Sequence, residues 1–138
     1  MKKFALLING RLGLRILRYV ICQKEIEIIG IVINSTNKRS STYLDLVSSI
    51  LQQYFKDVPV ISFEDVADNY IRIERLLKDS DYGVSALFGH ILPKNLLEDI
   101  QCEIINLHPS MLPIGRGADP IPWSIIGKQR QGVTIHIL

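Results

Sequence analysis

The segment Phe4-Ala-Leu-Leu-Ile-Asn-Gly-Arg-Leu-Gly13 contains an apolar run, a turn and the start of a helical pattern. Residues 4–8 are all apolar, as expected for a parallel strand that helices cover on both faces. Asn9-Gly10 interrupts the run, and residues 12–23 continue with the spacing of a helix. A strand, a turn and a helix in this order form the first part of a β-α-β unit.

The same alternation continues along the chain and favours an α/β fold with a largely parallel sheet. Further strands are predicted at residues 26–33, 59–61, 82–87, 102–106 and 132–138. Further helices are predicted at residues 44–54, 68–78, 93–98 and 120–127, with Asp119 as the N-cap of the last one. We expect the apolar stripe of 44–54 to pack against the sheet, and Trp123, Ile125 and Ile126 to lie in the core.

Length and composition narrow the class of protein. The chain has 138 residues, which suits one domain with one core. Hydrophobic residues make up 47% and charged residues 22%, a balance that excludes a disordered chain. No apolar run approaches the roughly 20 residues that a transmembrane helix needs. Residues 132–138 have the pattern of a strand with no following turn or cap, so we expect the chain to be a fragment.

Charge and cysteine content limit the partners and the compartment. The formal net charge of +2 is too small to indicate a nucleic-acid partner. Residues 1–24 carry six Lys or Arg side chains and no acid, a pattern also found in organellar transit peptides, which is the less favoured interpretation here. Cys22 and Cys102 have no metal-ligand spacing, and we expect buried thiols in a reducing, cytoplasmic environment.

Ligands of open parallel sheets bind outside the carboxyl ends of the strands. The loops of interest are therefore residues 9–13, 34–39, 88–93 and 106–117.

Asn106 and His108 lie where a predicted strand meets the last of these loops. Alternate strand residues point to the same face, so the two side chains are expected about 7 Å apart along the strand. An amide beside an imidazole can stabilise an oxyanion and carry a proton, which suits acyl transfer through a tetrahedral intermediate. The alternative is that Asn106 caps the strand end and His108 binds the loop backbone.

Three segments surround this pair: Asn106-Leu-His-Pro-Ser-Met-Leu-Pro113 followed by Arg116-Gly117, then Gly132-Val-Thr-Ile-His136, and earlier Gly89-His-Ile-Leu-Pro93. Together they resemble the formyltransferase family that uses 10-formyltetrahydrofolate. The resemblance covers residues 82–138 and is specific, because several motifs occur in the family's order. It implies a three-layer, doubly wound, Rossmann-like fold with a mostly parallel sheet, and 10-formyltetrahydrofolate as formyl donor.

The resemblance also implies roles for individual residues. Asn106 would donate a hydrogen bond to the oxygen of the formyl carbon, and His108 would stabilise the same charge and transfer a proton. His136 matches a position that is often His in the family and is interpreted as support for the strand. The folate would contact Phe88, Gly89, His90, Ile91 and Leu92. The wall of the cleft would be formed by Ser110, Met111, Leu112 and Pro113.

The family pattern continues with a catalytic aspartate shortly beyond the position of His136, which would fall past Leu138. Asp119 is the only acid after His108, and we assign it to helix capping. We therefore expect residues 1–138 to form a single catalytic domain of this family that is incomplete at its C-terminus. Whether this chain alone is active stays open.

The acceptor amine is the least determined part of the function. Arg116-Gly-Ala-Asp-Pro-Ile-Pro-Trp123 resembles the branch that acts on aminoacylated initiator tRNA or on amino-sugar nucleotides. A small net charge attracts a polyanion weakly, so an amino-sugar nucleotide is preferred and methionyl-tRNA stays open. A hydrolase that releases formate and a non-catalytic binding domain are the alternatives. The three histidines lack ligand-like spacing, so no metal is implied.

The first turn is a candidate site for the acceptor. Asn9, Gly10 and Arg11 lie where a helix N-terminus with nearby arginines could receive a phosphate. The alternative is a tight turn followed by a solvated basic face. The polar loop 34–39, with Lys38 and Arg39, is a second candidate wall.

Overall fold

A computed structural model of the chain describes residues 1–34, 41–63 and 66–138. The candidate acceptor wall with Lys38 and Arg39 lies outside the described residues. The described part folds into a sheet with helices on both faces, and its elements in chain order are β1 (Lys2–Ile8), α1 (Gly10–Val20), β2 (Ile26–Asn34), α2 (Ser41–Tyr54), β3 (Val60–Phe63), α3 (Val66–Lys78), β4 (Tyr82–Ala86), α4 (Lys94–Asp99), β5 (Glu103–His108), α5 (Pro120–Ile126) and β6 (Thr134–Ile137).

The strands are ordered β3-β2-β1-β4-β5-β6 in the sheet. Strands β1 to β5 pair in parallel, and β6 pairs antiparallel with β5. The chain thus runs outward from β1 to β3 and then returns beside β1 to build the other half, which confirms the predicted doubly wound, mostly parallel sheet. The two halves diverge between β1 and β4, where ligands of such folds bind.

Two apolar layers cover the sheet. On one face Leu7 and Ile104 pack in a cluster with residues of α3 and α4. On the other face Leu6 packs with Leu17 of α1 and with residues of α2. Full burial of each such side chain stabilises the fold by about 1.5–3 kcal/mol. Leu107 packs on the α1/α2 face, so the alternation of β5 places its even-numbered residues on the α3/α4 face.

Helix α1 begins earlier than predicted, at Gly10, and ends at Val20. The reason is that Asn9 is the N-cap: its side-chain oxygen accepts a hydrogen bond from the Gly10 amide at 2.8 Å. Because the helix ends before Cys22, that thiol is exposed, and the prediction that it is buried was wrong. Cys102 is half-buried, and burial raises the pKa of its thiol.

The core prediction for α5 was also wrong. Trp123 is 65% exposed and Ile126 71%, and Ile125 is exposed as well. Pro120 and Ser124 are the buried residues of this short helix, so the apolar positions fall on its outer side. Asp119 directly precedes the helix as predicted, but it does not cap it with its side chain. Its left-handed backbone (φ 50°) differs from the extended conformation in which an N-cap oxygen reaches the first amides.

The predicted packing of α2 against the sheet is confirmed for Val47 and Leu51 and is wrong for Tyr54. Val47 and Leu51 are buried against the sheet, whereas Tyr54 at the end of the helix is exposed. No helix in the described ranges is both long enough and apolar enough to span a bilayer.

Candidate active site

Asn106 and His108 lie half-buried at the carboxyl end of β5. Both belong to the even-numbered face, which is the face covered by α3 and α4. In the sheet register Ser85 of β4 lies beside Asn106 on one side and His136 of β6 on the other. The structure therefore gives the amide and the imidazole a common face at the edge of the sheet where ligands bind.

Asn106 contacts a residue that the sequence analysis treated only as strand support. Its Nδ2 lies 3.0 Å from Nε2 of His136. The contact arises because β5 and β6 are antiparallel and place the two residues directly opposite each other, where cross-strand side chains meet. The sequence showed His136 but not this register, so this partnership was missed.

His108 is fixed by the loop that follows it. Its Nε2 lies 2.8 Å from the carbonyl oxygen of Gly115, which can only accept a hydrogen bond. Nε2 therefore carries a proton, and Nδ1 is the nitrogen that a neutral ring leaves free to accept one. The loop contact that the alternative interpretation expected is present, and it holds the ring in one tautomer.

The loop between β5 and α5 is held by hydrogen bonds to its own backbone and to β6. Buried Ser110 donates through Oγ to the carbonyl of Ile114 at 2.9 Å. Thr134 donates through Oγ1 to the Ser110 carbonyl at 2.7 Å and accepts from the Leu112 amide at 3.0 Å. Of the predicted wall residues, Ser110 thus shapes the loop from inside, whereas Met111 and Pro113 are exposed and Leu112 is half-buried.

Gly115 supplies the carbonyl oxygen that holds His108, and the backbone conformation at this position requires glycine. Its φ is +72°, a conformation that side-chain-bearing residues rarely adopt. A Cβ at this position would also lie 2.9 Å from Cβ of Ser110. The glycine therefore permits the close approach that brings its carbonyl to the imidazole.

The loop after β4 combines buried anchors with an exposed middle. Phe88 and Leu92 are buried in the α3/α4 cluster, the cluster that also contains Ile104 of β5. His90 packs edge-on against Phe88 with ring centroids 5.6 Å apart, and Ile91 is 92% exposed. The predicted folate-binding loop and the Asn106–His108 pair therefore share one face, and Ile91 is exposed between the two buried anchors.

Gly89 makes the approach of this loop to β2 possible. Its φ is +82°, and a Cβ there would lie 3.3 Å from Nδ2 of Asn34. Nδ2 of Asn34 donates to the carbonyl of Phe88 at 3.1 Å. The Asn9 amide donates to Ala86 at 3.2 Å, so the ends of β1, β2 and β4 are joined where the sheet halves diverge.

Comparison with known proteins identifies the family. The sequence profile of the formyl transferase family matches residues 15–138. The chain belongs to this family. Methionyl-tRNA formyltransferase of Bacillus licheniformis is 41% identical over 81 residues, which cover 58% of this chain and 26% of that protein. The matched stretch is thus about a quarter of the length of this curated relative.

Solved structures show that the formyl transferase-family fold is present. Phosphoribosylglycinamide formyltransferase from Anaplasma phagocytophilum aligns with a TM-score of 0.72 at 22% identity, over 99% of this chain and 64% of that one. A sugar N-formyltransferase from Shewanella sp. aligns with a TM-score of 0.66 at 20% identity, over 100% of this chain and 51% of that one. These similarities confirm the Rossmann-like architecture implied by the sequence motifs.

The first turn of this formyl transferase-family chain lies on the other side of the sheet. Helix α1 packs on the face opposite to Asn106, and Arg11 is exposed. Two strand spacings of about 4.8 Å separate β1 from β5, so Asn9 lies about 10 Å from the site along the edge. Asn9, Gly10 and Arg11 therefore lie at the rim and could contact only a ligand that extends across it.

Other features of the chain lie away from this edge. A cleft of about 540 Å³ lined by Lys3, Pro59 and Arg75 lies at the amino ends of the strands, opposite the loops described above. Within the described ranges no cluster of His, Cys, Asp or Glu has the arrangement of a metal site.

Proposed function

We propose that this chain carries the donor-binding and oxyanion-stabilising part of a formyltransferase, which transfers a formyl group from 10-formyltetrahydrofolate to an amine. The observation that supports this most directly is the position of Asn106 and His108 on one face of β5, shared with the anchored loop after β4. Family membership supports the same reaction class.

The donor would lie along the loop after β4. The buried side chains of Phe88 and Leu92 anchor this loop to the α3/α4 cluster. They hold the middle of the loop in place but would not contact the ligand themselves. The pterin would pack on Ile91 and bond to the backbone of Gly89 and His90. The formyl carbon would then point along the edge toward β5, where the two polar side chains lie.

The chemistry follows from the donors and acceptors at that edge. The acceptor amine forms a bond to the formyl carbon, and the carbonyl electrons move onto its oxygen. Asn106 donates an N–H to this oxygen, and His108 takes the amine proton at Nδ1. The imidazolium is stabilised by the Gly115 carbonyl. The bond from the formyl carbon to the folate nitrogen then breaks, and that nitrogen receives the proton.

We propose an amino-sugar nucleotide as the preferred acceptor, with methionyl-tRNA as the alternative. The exposed arginines of α1 offer charge-assisted bonds to a phosphate at the rim. The net charge of +2 favours a small anionic acceptor over a polyanion. Relatives named for tRNA, sugar and ribonucleotide substrates occur in the family, so the reaction class has more support than the acceptor.

The test combines donor binding with turnover. An unreactive analogue of the donor should raise the melting temperature of the wild-type chain. Formyl transfer should be measured with an amino-sugar nucleotide, with methionyl-tRNA and without acceptor. Asn106→Ala and His108→Ala are each expected to lower the rate by about 10²–10⁴-fold. Lys78→Ala, which removes an exposed ion pair with Glu74, is the control and should leave the rate unchanged.

Each contrary result points to a specific alternative. Formate released at the same rate with and without an amine would favour a hydrolase. Analogue binding with no turnover on any acceptor would favour a binding domain. No thermal shift at millimolar analogue would reject the proposed donor.

A further inference from the structure

The hydrogen bonds of His136 determine which way the Asn106 amide points. Nδ1 of His136 lies 3.1 Å from the carbonyl oxygen of Ile137, and a carbonyl oxygen can only accept. Nδ1 therefore carries the proton, and Nε2 of the neutral ring has a free lone pair. Nε2 faces the Asn106 side chain at 3.0 Å.

An acceptor at Nε2 can pair only with the nitrogen of the Asn106 amide, not with its oxygen. One N–H of Nδ2 is thus used by His136, and the second N–H is left to donate elsewhere. With the opposite tautomer, Nε2 would be a donor and would attract Oδ1 of Asn106 instead. The Asn106 amide would then be flipped, with Oδ1 facing His136 and Nδ2 facing away from it.

We infer that His136 is a positioning residue: as a neutral Nδ1–H imidazole it holds the Asn106 amide so that Nδ2 offers an N–H to the developing oxyanion. This inference rests on the proposed function for the role of that N–H. The two histidines of the site are then held in opposite tautomers, His108 by the Gly115 carbonyl at Nε2 and His136 by the Ile137 carbonyl at Nδ1.

The hydrogen-bonding groups of imidazole explain why a histidine suits position 136. An imidazole offers a donor at one edge and an acceptor at the other, and β6 supplies the carbonyl that selects between them. Glutamine has the same two functions, because its amide nitrogen can donate to Ile137 and its oxygen can accept from Asn106. Phenylalanine fills similar space but has neither function.

The first experiment observes the pair directly, without any ligand. In ¹⁵N-labelled wild-type chain, the His136 ring should show a protonated Nδ1 and an unprotonated Nε2. A scalar coupling across the hydrogen bond should connect Nδ2 of Asn106 with Nε2 of His136. A protonated Nε2 in the neutral ring, or no coupling in a chain that is otherwise folded, would overturn the inference whether or not the donor binds.

The second experiment separates positioning from mere structural support. His136→Phe should lower kcat for formyl transfer by about 10²-fold, the scale of losing one oxyanion donor, with the KM for the donor within about twofold of wild type. His136→Gln should restore most of kcat. In the Asn106→Ala background His136→Phe should cause no further loss, because both changes remove the same interaction.

Ile135→Phe is the control for disturbance of β6, because Ile135 is 66% exposed and lies on the strand's other face. It should leave kcat unchanged. Equal kcat losses for the Phe and Gln variants would show that His136 has only a structural role. Losses that add to those of Asn106→Ala would show the same. If the wild-type chain transfers no formyl group, the proposed function fails, and the coupling measurement still decides the position of the amide.

Discussion

The turn after β1 and the loop after β5 end parallel strands at the same edge of the sheet, yet they are held in different ways. The turn is fixed by the bond from the Gly10 amide to the Asn9 side chain and by the bond from the Asn9 amide to Ala86, and it continues into a helix with exposed arginines. The loop is fixed by hydrogen bonds from the Ser110 hydroxyl to Ile114, between His108 and Gly115, and from Thr134 of β6 to Ser110.

This difference separates two kinds of candidate site. In the loop, the polar groups fix one another, so the position of the His108 ring depends on residues several positions away in sequence. At the turn, the arginine side chains are solvated and their positions depend on what they bind. Substitutions that change the backbone should therefore have large effects in the loop, whereas charge removal at the turn should have small effects.

The largest effect is expected for Gly115→Ala. The new Cβ would meet Ser110 at 2.9 Å, and alanine would be strained at φ +72°. We expect a loss of about 2–5 kcal/mol in the free energy of unfolding, and displacement of the carbonyl from His108. Chemical denaturation measures the first effect, and the ¹⁵N shifts of the His108 ring measure the second.

Gly117→Ala is the matched control, because Gly117 has a similar φ of +85° but no atom within 4 Å of the added Cβ. It should carry only the conformational strain, about 1–2 kcal/mol. Equal destabilisation by the two substitutions would show that the contact with Ser110 plays no part in holding the loop.

Thr134→Val should have the next largest effect. The substitution keeps the shape but removes the hydroxyl that bonds both to the Ser110 carbonyl and to the Leu112 amide. We expect the free energy of unfolding to fall by about 1–3 kcal/mol. Thr134→Ser keeps the hydroxyl and should recover part of this loss. A Val variant as stable as wild type would mean that β6 does not hold the loop.

Much of the fold was predictable from local patterns. Residues 4–8 of β1 form a continuous apolar run, as expected for a parallel strand that is covered on both faces. Asn106 and His108 were placed on a common face by the two-residue period of a strand alone. The order of helices and strands favoured a largely parallel sheet, and the resemblance to the formyltransferase family implied the doubly wound topology.

The remainder depends on pairings that no local pattern shows. The contact of His136 with Asn106 requires the antiparallel register of β5 and β6, which a sequence of two strands and a long connection leaves open. The exposure of Trp123 and Ile126 depends on which side of α5 faces the sheet, and a helix that is apolar on most sides gives no signal for this.

Arg11→Ala tests the other region and should have a small effect. Arg11 is exposed, so the free energy of unfolding should change by less than about 0.5 kcal/mol, and donor-analogue affinity should stay the same. Affinity for an acceptor that carries a phosphate should fall by about tenfold, the scale of one charge-assisted hydrogen bond. Calorimetric titration with and without the phosphate distinguishes these effects. Equal acceptor affinity in both proteins would remove the turn from the acceptor site.

The two cysteines give the smallest expected difference between the two regions. Cys22 follows α1, and Cys102 directly precedes β5. Cys22 is exposed and should react first with iodoacetamide in the native protein. Burial raises the pKa of the Cys102 thiol, which favours its neutral form, so its reactive thiolate appears only at higher pH than is usual for cysteine. Peptide mapping by mass spectrometry across a pH series should show Cys102 labelled more slowly than Cys22, with the Cys102 rate rising toward alkaline pH. Equal labelling rates would show that the segment before β5 opens as readily as the end of α1.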